Sequence, residues 1–199
     1  MNTHVESRWH FGVPILDTEI PDFATHQQAL IDVFQKLRAD DTPDMVRSNQ
    51  GGWHSIDNLH QSTDPQIHWL TQEILRIGTH SIRRMEGEDF KGKISLTSLW
   101  VNINGAGNWN MPHSHLPNEW SGVAYISVNN NAPKQAARDG DLIFINPLPM
   151  GKQFKRPPSV SYTPSNGKLF FFPGYLLHMV APHHDSEDRI SVAFNFKLH

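Results

Sequence analysis

Residues 102–119 read Asn-Ile-Asn-Gly-Ala-Gly-Asn-Trp-Asn-Met-Pro-His-Ser-His-Leu-Pro-Asn-Glu, which places His113, His115 and Glu119 within seven residues. Side chains two apart on an extended strand share a face, so both imidazoles can converge on one ion at about 2.0–2.2 Å. Pro112 and Pro117 bracket the pair and stiffen it, lowering the entropy lost on coordination. Glu119 offers a carboxylate from the loop beyond. The chain has no cysteine, so any metal is held by His, Asp or Glu, a donor set that suits iron, manganese, nickel or zinc. With no thiol and no evident Ser/His/Asp arrangement, chemistry in this chain depends on such an ion.

A second half of the site is expected at His178, which follows a strand broken by Pro173-Gly174 and sits among Leu177, Met179 and Val180. The segment Arg189-Ile-Ser-Val-Ala-Phe-Asn-Phe-Lys-Leu198 begins eleven residues later. Alternation puts Ile190, Val192, Phe194, Phe196 and Leu198 on one face, and Arg189, Ser191 and Asn195 on the other. An arginine and a serine side by side on a strand otherwise built for a core form a carboxylate receptor. The guanidinium binds in bidentate fashion and the hydroxyl adds a third hydrogen bond.

His113-x-His115, distal His178 and Arg189-x-Ser191 resemble the iron(II)/2-oxoglutarate-dependent oxygenases. The resemblance is to a bacterial and phage branch with a Pro-His-x-His motif followed by Ser-Gly-Val-x-Tyr, here Pro112–His115 and Ser121-Gly-Val-Ala-Tyr125. Gly140-Asp-Leu-Ile-Phe-Ile-Asn-Pro147 and Gly51-Gly52-Trp53 match further elements of that branch in order, over roughly residues 50–198. The resemblance implies a double-stranded β-helix (jelly-roll) core, with Fe(II) and 2-oxoglutarate as cofactor and co-substrate. It implies a dioxygenase that hydroxylates a small-molecule or peptide substrate while 2-oxoglutarate is decarboxylated to succinate. Arg189 and Ser191 would then take the far carboxylate, Asn102 and Asn104 would add polar contacts, and Trp109, Trp120, Tyr125 and the loop 146–166 would wall the substrate pocket.

The family's usual proximal pair is His-x-Asp or His-x-Glu, whereas this chain has His115 in the second position. Either His115 is the third ligand or Glu119 restores a carboxylate. Two other readings stay open: a cupin-like metalloenzyme using His113, His115, Glu119 and His178, and a jelly-roll binding module without turnover.

The elements that must position these groups are legible in outline. Ala29, Leu30, Val33, Phe34 and Leu37 recur at helical spacing over residues 23–38. A second helix is expected from Thr63-Asp-Pro-Gln, capped by Thr63 or Asp64, to about Met85. Residues 9–16 read as a short extended segment. After Gly87 come short β-branched or aromatic runs at 93–101, 122–128, 141–145, 168–172 and 189–198, separated by Gly, Pro, Asn and Asp. Helices first and strands afterwards predict a mainly β chain with helices packed on one face of an antiparallel sandwich or barrel. The proline-rich stretch 146–166 is expected to be mostly loop. One domain over 1–199 is expected, with residues 1–87 elaborating a core at 88–199.

Net charge is −3 over 199 residues, which gives no reason to expect nucleic acid or an anionic membrane as a partner. No run of about 18 apolar residues or signal-type segment is present, so the expectation is a cytoplasmic protein, with a homo-dimer left open. His183 and His184 are expected to face solvent in a charged turn. His54, His60 and His80 have no sequence neighbour at metal-ligand spacing, and Lys152, Lys155 and Arg156 form a basic cluster in the long loop.

Overall fold

Alternation along the strands decides how this chain folds. On Lys168–Pro173, Leu169 and Phe171 pack outward with the helices, while Phe170 and Phe172 join a second apolar cluster inside. The computed structural model describes residues 12–40, 46–87, 89–129, 136–148 and 157–199. The elements are β1 (Leu16–Glu19), α1 (Phe23–Ala39), β2 (Asn49–Gln50), β3 (Trp53–His54), α2 (Pro65–Glu86), β4 (Ile94–Asn104) and β5 (Trp109–His113). They continue with β6 (Trp120–Ser127), β7 (Leu142–Ile145), β8 (Ser159–Tyr162), β9 (Lys168–Pro173), β10 (His178–Val180) and β11 (Arg189–Leu198). Six strands form a major sheet in the order β1-β9-β6-β11-β4-β3; five form a minor sheet, β2-β5-β10-β7-β8. This mainly β architecture with helices on one face agrees with the expected jelly roll.

The major sheet has two chemically different faces. Leu99, Val101 and Ile103 of β4, Ala124 and Ile126 of β6, and Ile190, Val192, Phe194 and Phe196 of β11 build the core shared with the helices. From α2, Ile67, Leu70, Ile74, Ile77 and Ile82 fill that core, each worth about 1.5–3 kcal/mol of burial. Asp64 starts α2 by accepting from the backbone N–H groups of Gln66 and Ile67 at 2.9 and 3.2 Å, and Pro65 fits the first turn. Gly78 lets the helix settle on the sheet, since a Cβ there would meet the rings of Phe196 and Phe171 at 2.6–2.9 Å.

Three features differ from the sequence expectation. The first strand begins at Leu16, not earlier, because Pro14 has no N–H for the ladder that β1 makes with β9. The part of that segment at residues 9–11 lies outside the described residues. The stretch read as loop contains β8, whose Ser-Val-Ser-Tyr alternation pairs with β7 from Ile145↔Ser159 to Leu142↔Tyr162. Lys152, Lys155 and Arg156 lie outside the described residues. Finally, β4 runs on to Asn104, because Asn102 and Asn104 face a polar interior rather than a turn.

Residues 49–54 tie the two sheets together on one side. Asn49 pairs with Asn110 of β5 in the minor sheet, and His54 pairs with Asn102 of β4 in the major sheet. The chain crosses between them at Gly51 and Gly52, with φ of +68° and +73°. A Cβ on Gly52 would collide with the Asn104 side chain and lie 2.9 Å from the Ile103 carbonyl oxygen. Gly52→Ala is therefore expected to cost about 2 kcal/mol, from left-handed backbone strain plus displacement of Asn104. Urea unfolding would measure it, and a loss below about 0.5 kcal/mol would show that this crossing bears no strain.

Candidate metal centre and cavity

The two sheets enclose a cavity of about 490 Å³, a size suited to a small ligand. On the minor sheet, His178 of β10 stands directly opposite His113 of β5. His115 follows β5 in the next turn, where its N–H donates to the Gly174 carbonyl at 2.8 Å. One nitrogen from each of His113, His115 and His178 lies within 4.8 Å of the others, with His115 Nε2 and His178 Nε2 3.2 Å apart.

Backbone carbonyls set two of these rings. His113 Nδ1 donates to the Met111 carbonyl at 2.7 Å and His178 Nδ1 donates to the Leu176 carbonyl at 2.8 Å. That tautomer leaves each Nε2 with a lone pair for an ion, and orienting the second nitrogen in this way is how histidine ligands are usually held. Burial pushes His115 down to about 3, with the nearby His113 adding to the effect. Burial also holds His178 well below the ordinary histidine range, and His113 below it, each reinforced by neighbouring imidazoles. Neutral imidazole is the form that binds metal.

These shifts predict an acid-sensitive metal-free protein. The folded-state values lie below the unfolded value near 6.5, so as pH falls the unfolded chain takes up protons first. For His115, stability is fully present above about pH 6.5 and declines toward pH 3, by up to about 1.4 kcal/mol per pH unit, and His113 and His178 act in the same direction. Urea midpoints of the metal-free protein at pH 7 and pH 5 test this; equal midpoints would contradict a buried neutral triad.

Glu119 lies outside the cluster. It is exposed, and its Oε2 accepts from the Leu198 N–H at 3.1 Å. Trp120 belongs to the helix-facing core, where its indole N–H donates to Glu86 at 2.8 Å, so it does not wall the cavity as expected. Its even register with Ala124 and Ile126 sends it outward. Trp109 is half-buried on β5 beside Gln50 and does not line the cavity either. Among the described residues of 146–166, none lines it.

The major sheet supplies the opposite wall. His54, Asn102, Ser191 and Tyr125 stand in register across β3, β4, β11 and β6, and all four line the cavity. Behind this row, Arg189 is buried opposite Asn104. Its Nη1 donates to the carbonyls of Gly140 and Ala181 at 3.3 and 3.5 Å. Among the described residues no carboxylate reaches ion-pair distance of this guanidinium. Burial lowers the Arg189 pKa against the raising influence of Tyr125 and Asp139, and burial pushes Tyr125 up to about 12 despite Arg189 nearby. The Tyr125 hydroxyl, Asn102 Oδ1 and Asn104 Oδ1 are buried without a hydrogen-bond partner. A buried cation beside unpaired polar atoms is costly unless a ligand completes it.

Sequence reasoning missed three participants. His183 is buried, not solvent-facing. The Gly107 N–H holds its carbonyl at 2.7 Å, turning the segment inward, and His183 Nε2 donates to the Asn104 carbonyl at 2.8 Å. His54 and Ser48 reach the cavity from residues distant in sequence, with Ser48 Oγ 3.5 Å from His113 Nε2. No spacing rule could have found them, because the crossing between sheets brings them there.

Residues 98–195 match the family described as "Putative 2OG-Fe(II) oxygenase". No curated protein matches the sequence. Among solved structures, the chain is similar to a Pseudomonas putida prolyl-4-hydroxylase, with TM-score 0.63 and 16% identity over 92% of this chain and 91% of that one. It is similar to a prolyl hydroxylase from Trichoplax adhaerens, solved with a hypoxia inducible factor peptide fragment, at TM-score 0.65 and 13% identity over 92% and 83%. HygX from Streptomyces hygroscopicus, solved with nickel, 2-oxoglutarate and hygromycin B, gives TM-score 0.65 and 10% identity over 93% and 83%. At these identities the structural likeness establishes the jelly-roll fold.

Proposed function

We propose that this chain is an iron(II)/2-oxoglutarate dioxygenase in which His113, His115 and His178 hold Fe(II) and Arg189 anchors 2-oxoglutarate, a reading supported by the family match over residues 98–195. The observation that carries this reading is the buried Arg189, with no carboxylate at ion-pair distance among the described residues, beside the unpartnered Tyr125 hydroxyl on the wall facing three convergent imidazoles. When bound, Fe(II) and 2-oxoglutarate supply oxidation by O₂ coupled to decarboxylation of the keto acid to succinate.

The chain's own residues bind and orient. Arg189 supplies the charge for the far carboxylate, while Ser191 and Tyr125 supply hydroxyl donors from adjacent strands in register. Tyr125 thus moves from the expected substrate pocket to the anchor. Asn102 lines the same row, and Asn104 is held behind it by donating to Asn110 at 3.3 Å. The rings of Phe172 and Phe144 pack at a tilt against His178, with centroids 4.6 and 6.0 Å away, excluding water from that side of the ligands. The segment 47–57 contributes to the same cavity as the strands after 88, which supports one functional unit across the chain. The substrate proposed is a small molecule or peptide that is hydroxylated.

Anaerobic loading with Fe(II), followed by 2-oxoglutarate, tests this directly. The expected result is a change in the visible absorption on adding the keto acid, and succinate release on admitting O₂. Iron that binds while 2-oxoglutarate neither alters the spectrum nor is consumed would refute the reading.

A further inference from the structure

The inner face of the major sheet carries a second polar row, two steps removed from the anchor. Ser98, Asn195 and Ser121 stand opposite one another on β4, β11 and β6. Between them and the Asn102–Ser191–Tyr125 row lies Trp100–Ala193–Val123. Four residues along a strand is about 13 Å, so a short dicarboxylate seated at Arg189 leaves the Ser98 end of the cavity vacant for another molecule.

The hydrogen bonds of this row run in one direction. Ser121 is fully buried, and its hydroxyl donates to Asn195 Oδ1 at 2.6 Å. The Asn195 amide turns Oδ1 toward Ser121 and Nδ2 toward Ser98, and Nδ2 donates to Ser98 Oγ at 2.8 Å. Ser98 Oγ therefore accepts, and its own proton has no acceptor among the described residues. Ser98 lines the cavity, so that proton is offered to whatever enters. Donors aligned in series polarise one another, which strengthens the last one.

The surroundings narrow the chemistry. Asn118, at the same end, is held in place by the backbone and a neighbour: its Nδ2 donates to the His115 carbonyl at 2.8 Å and its Oδ1 accepts from Thr97 at 3.2 Å. Trp100 lies between His54 at 5.7 Å and His115 at 5.6 Å, presenting an aromatic surface next to a metal ligand. The charged lining residues, Arg47 and Asp57, are exposed at the mouth, so this row offers a neutral donor and an aromatic face.

We infer that Ser98 is a specificity-determining contact for the substrate to be oxidised, donating to an acceptor oxygen of a neutral compound whose aliphatic part packs on Trp100. The acceptor is an amide carbonyl or an alcohol, since a serine hydroxyl serves both. This rests on the oxygenase reading, because only an anchored 2-oxoglutarate divides the cavity in this way.

The test uses the full chain loaded with Zn(II) and 2-oxoglutarate, which cannot turn over. N-acetylalanine amide and methyl glucoside serve as neutral probes, with alanine and putrescine as charged ones, and affinities are read by ligand-observed NMR. At least one neutral probe is expected to bind, and Ser98→Ala to weaken it about tenfold while 2-oxoglutarate affinity stays within twofold. Asn195→Asp keeps the hydroxyl but redirects its proton onto the new carboxylate, so it is expected to cause the same loss; Ser98→Thr should restore binding. Which neutral probe binds distinguishes amide from alcohol. Unchanged probe binding in Ser98→Ala, charged probes binding as well as neutral ones, or no neutral probe binding to a 2-oxoglutarate-loaded protein would each overturn the inference. Failure of the wild type to bind 2-oxoglutarate would instead overturn the oxygenase reading and this inference with it.

Discussion

Replacing Arg189 with methionine is expected to weaken 2-oxoglutarate binding by about 100- to 1,000-fold while leaving the free protein as stable as before, or more so. The two effects have one cause. Arg189 is buried with two long bonds to carbonyls and, among the described residues, no carboxylate within ion-pair distance. In the free protein its charge has lost water without gaining a counter-ion, and an apolar replacement of similar volume removes that cost. In the complex, the methionine leaves a buried carboxylate without its partner, a loss of about 3–4 kcal/mol at the lower end for a broken buried pair, which is roughly two to three decades of affinity. Tyr125→Phe should act in the same direction more gently, by about tenfold, since it removes an unpartnered hydroxyl and no charge. Calorimetry of binding and urea unfolding, run on the same samples, separate the roles. If Arg189→Met destabilises the free protein by several kcal/mol and leaves binding intact, the arginine is a structural strut.

His178→Ala is expected to lower metal affinity by more than about 100-fold, while the metal-free variant stays within about 2 kcal/mol of the parent. A ligand lost from a three-imidazole set leaves the ion too few protein donors, and mutation of an outer partner alone commonly costs 10- to 100-fold. Folding is less affected, because the apolar surroundings of Phe144 and Phe172 remain and the hydrogen bond to Leu176 is worth about 1 kcal/mol. Glu119→Ala is the informative control. Its carboxylate is bonded to the Leu198 N–H at 3.1 Å, so metal affinity should change by less than about threefold. Competition with a chromophoric chelator measures both variants. A large loss in Glu119→Ala would restore the cupin-like assignment, and collapse of metal-free His178→Ala would make the site structural.

Much of the site could be read before any coordinates. The sequence points to His113 and His115 by their spacing and to His178 by its place before Arg189 and Ser191, and one nitrogen of each lies within 4.8 Å of the others. Arg189 and Ser191 were singled out by their place opposite the apolar face of one strand, and both face inward from the core. The tryptophans fared differently. The resemblance implies a pocket walled by Trp109 and Trp120, but position along the strand decides the matter. Trp120 shares its parity with Ala124 and Ile126 and so points to the helices. Among the described residues, Trp100, in register with Ala193 and Val123, is the tryptophan that lines the cavity.

Local physics is enough to say which face each strand buries, because alternation with period two is a property of the strand alone. That is why β11 reads correctly from its ten residues, and why the histidine pair and the arginine–serine pair are visible in the chain. What local physics cannot supply is which strands become neighbours. Ser191 meets Tyr125 and Asn102 because β11 lies between β6 and β4, and His54 joins them because a two-glycine crossing carries the chain from one sheet edge to the other. Which of His115 and Glu119 lies beside His113 and His178 belongs to the same category. Both lie within six residues of His113, but the hydrogen bond from His115 to Gly174 and the bond from Glu119 to Leu198 send their side chains to different places. Those partners lie 59 and 79 residues away along the chain, and only folding brings them near.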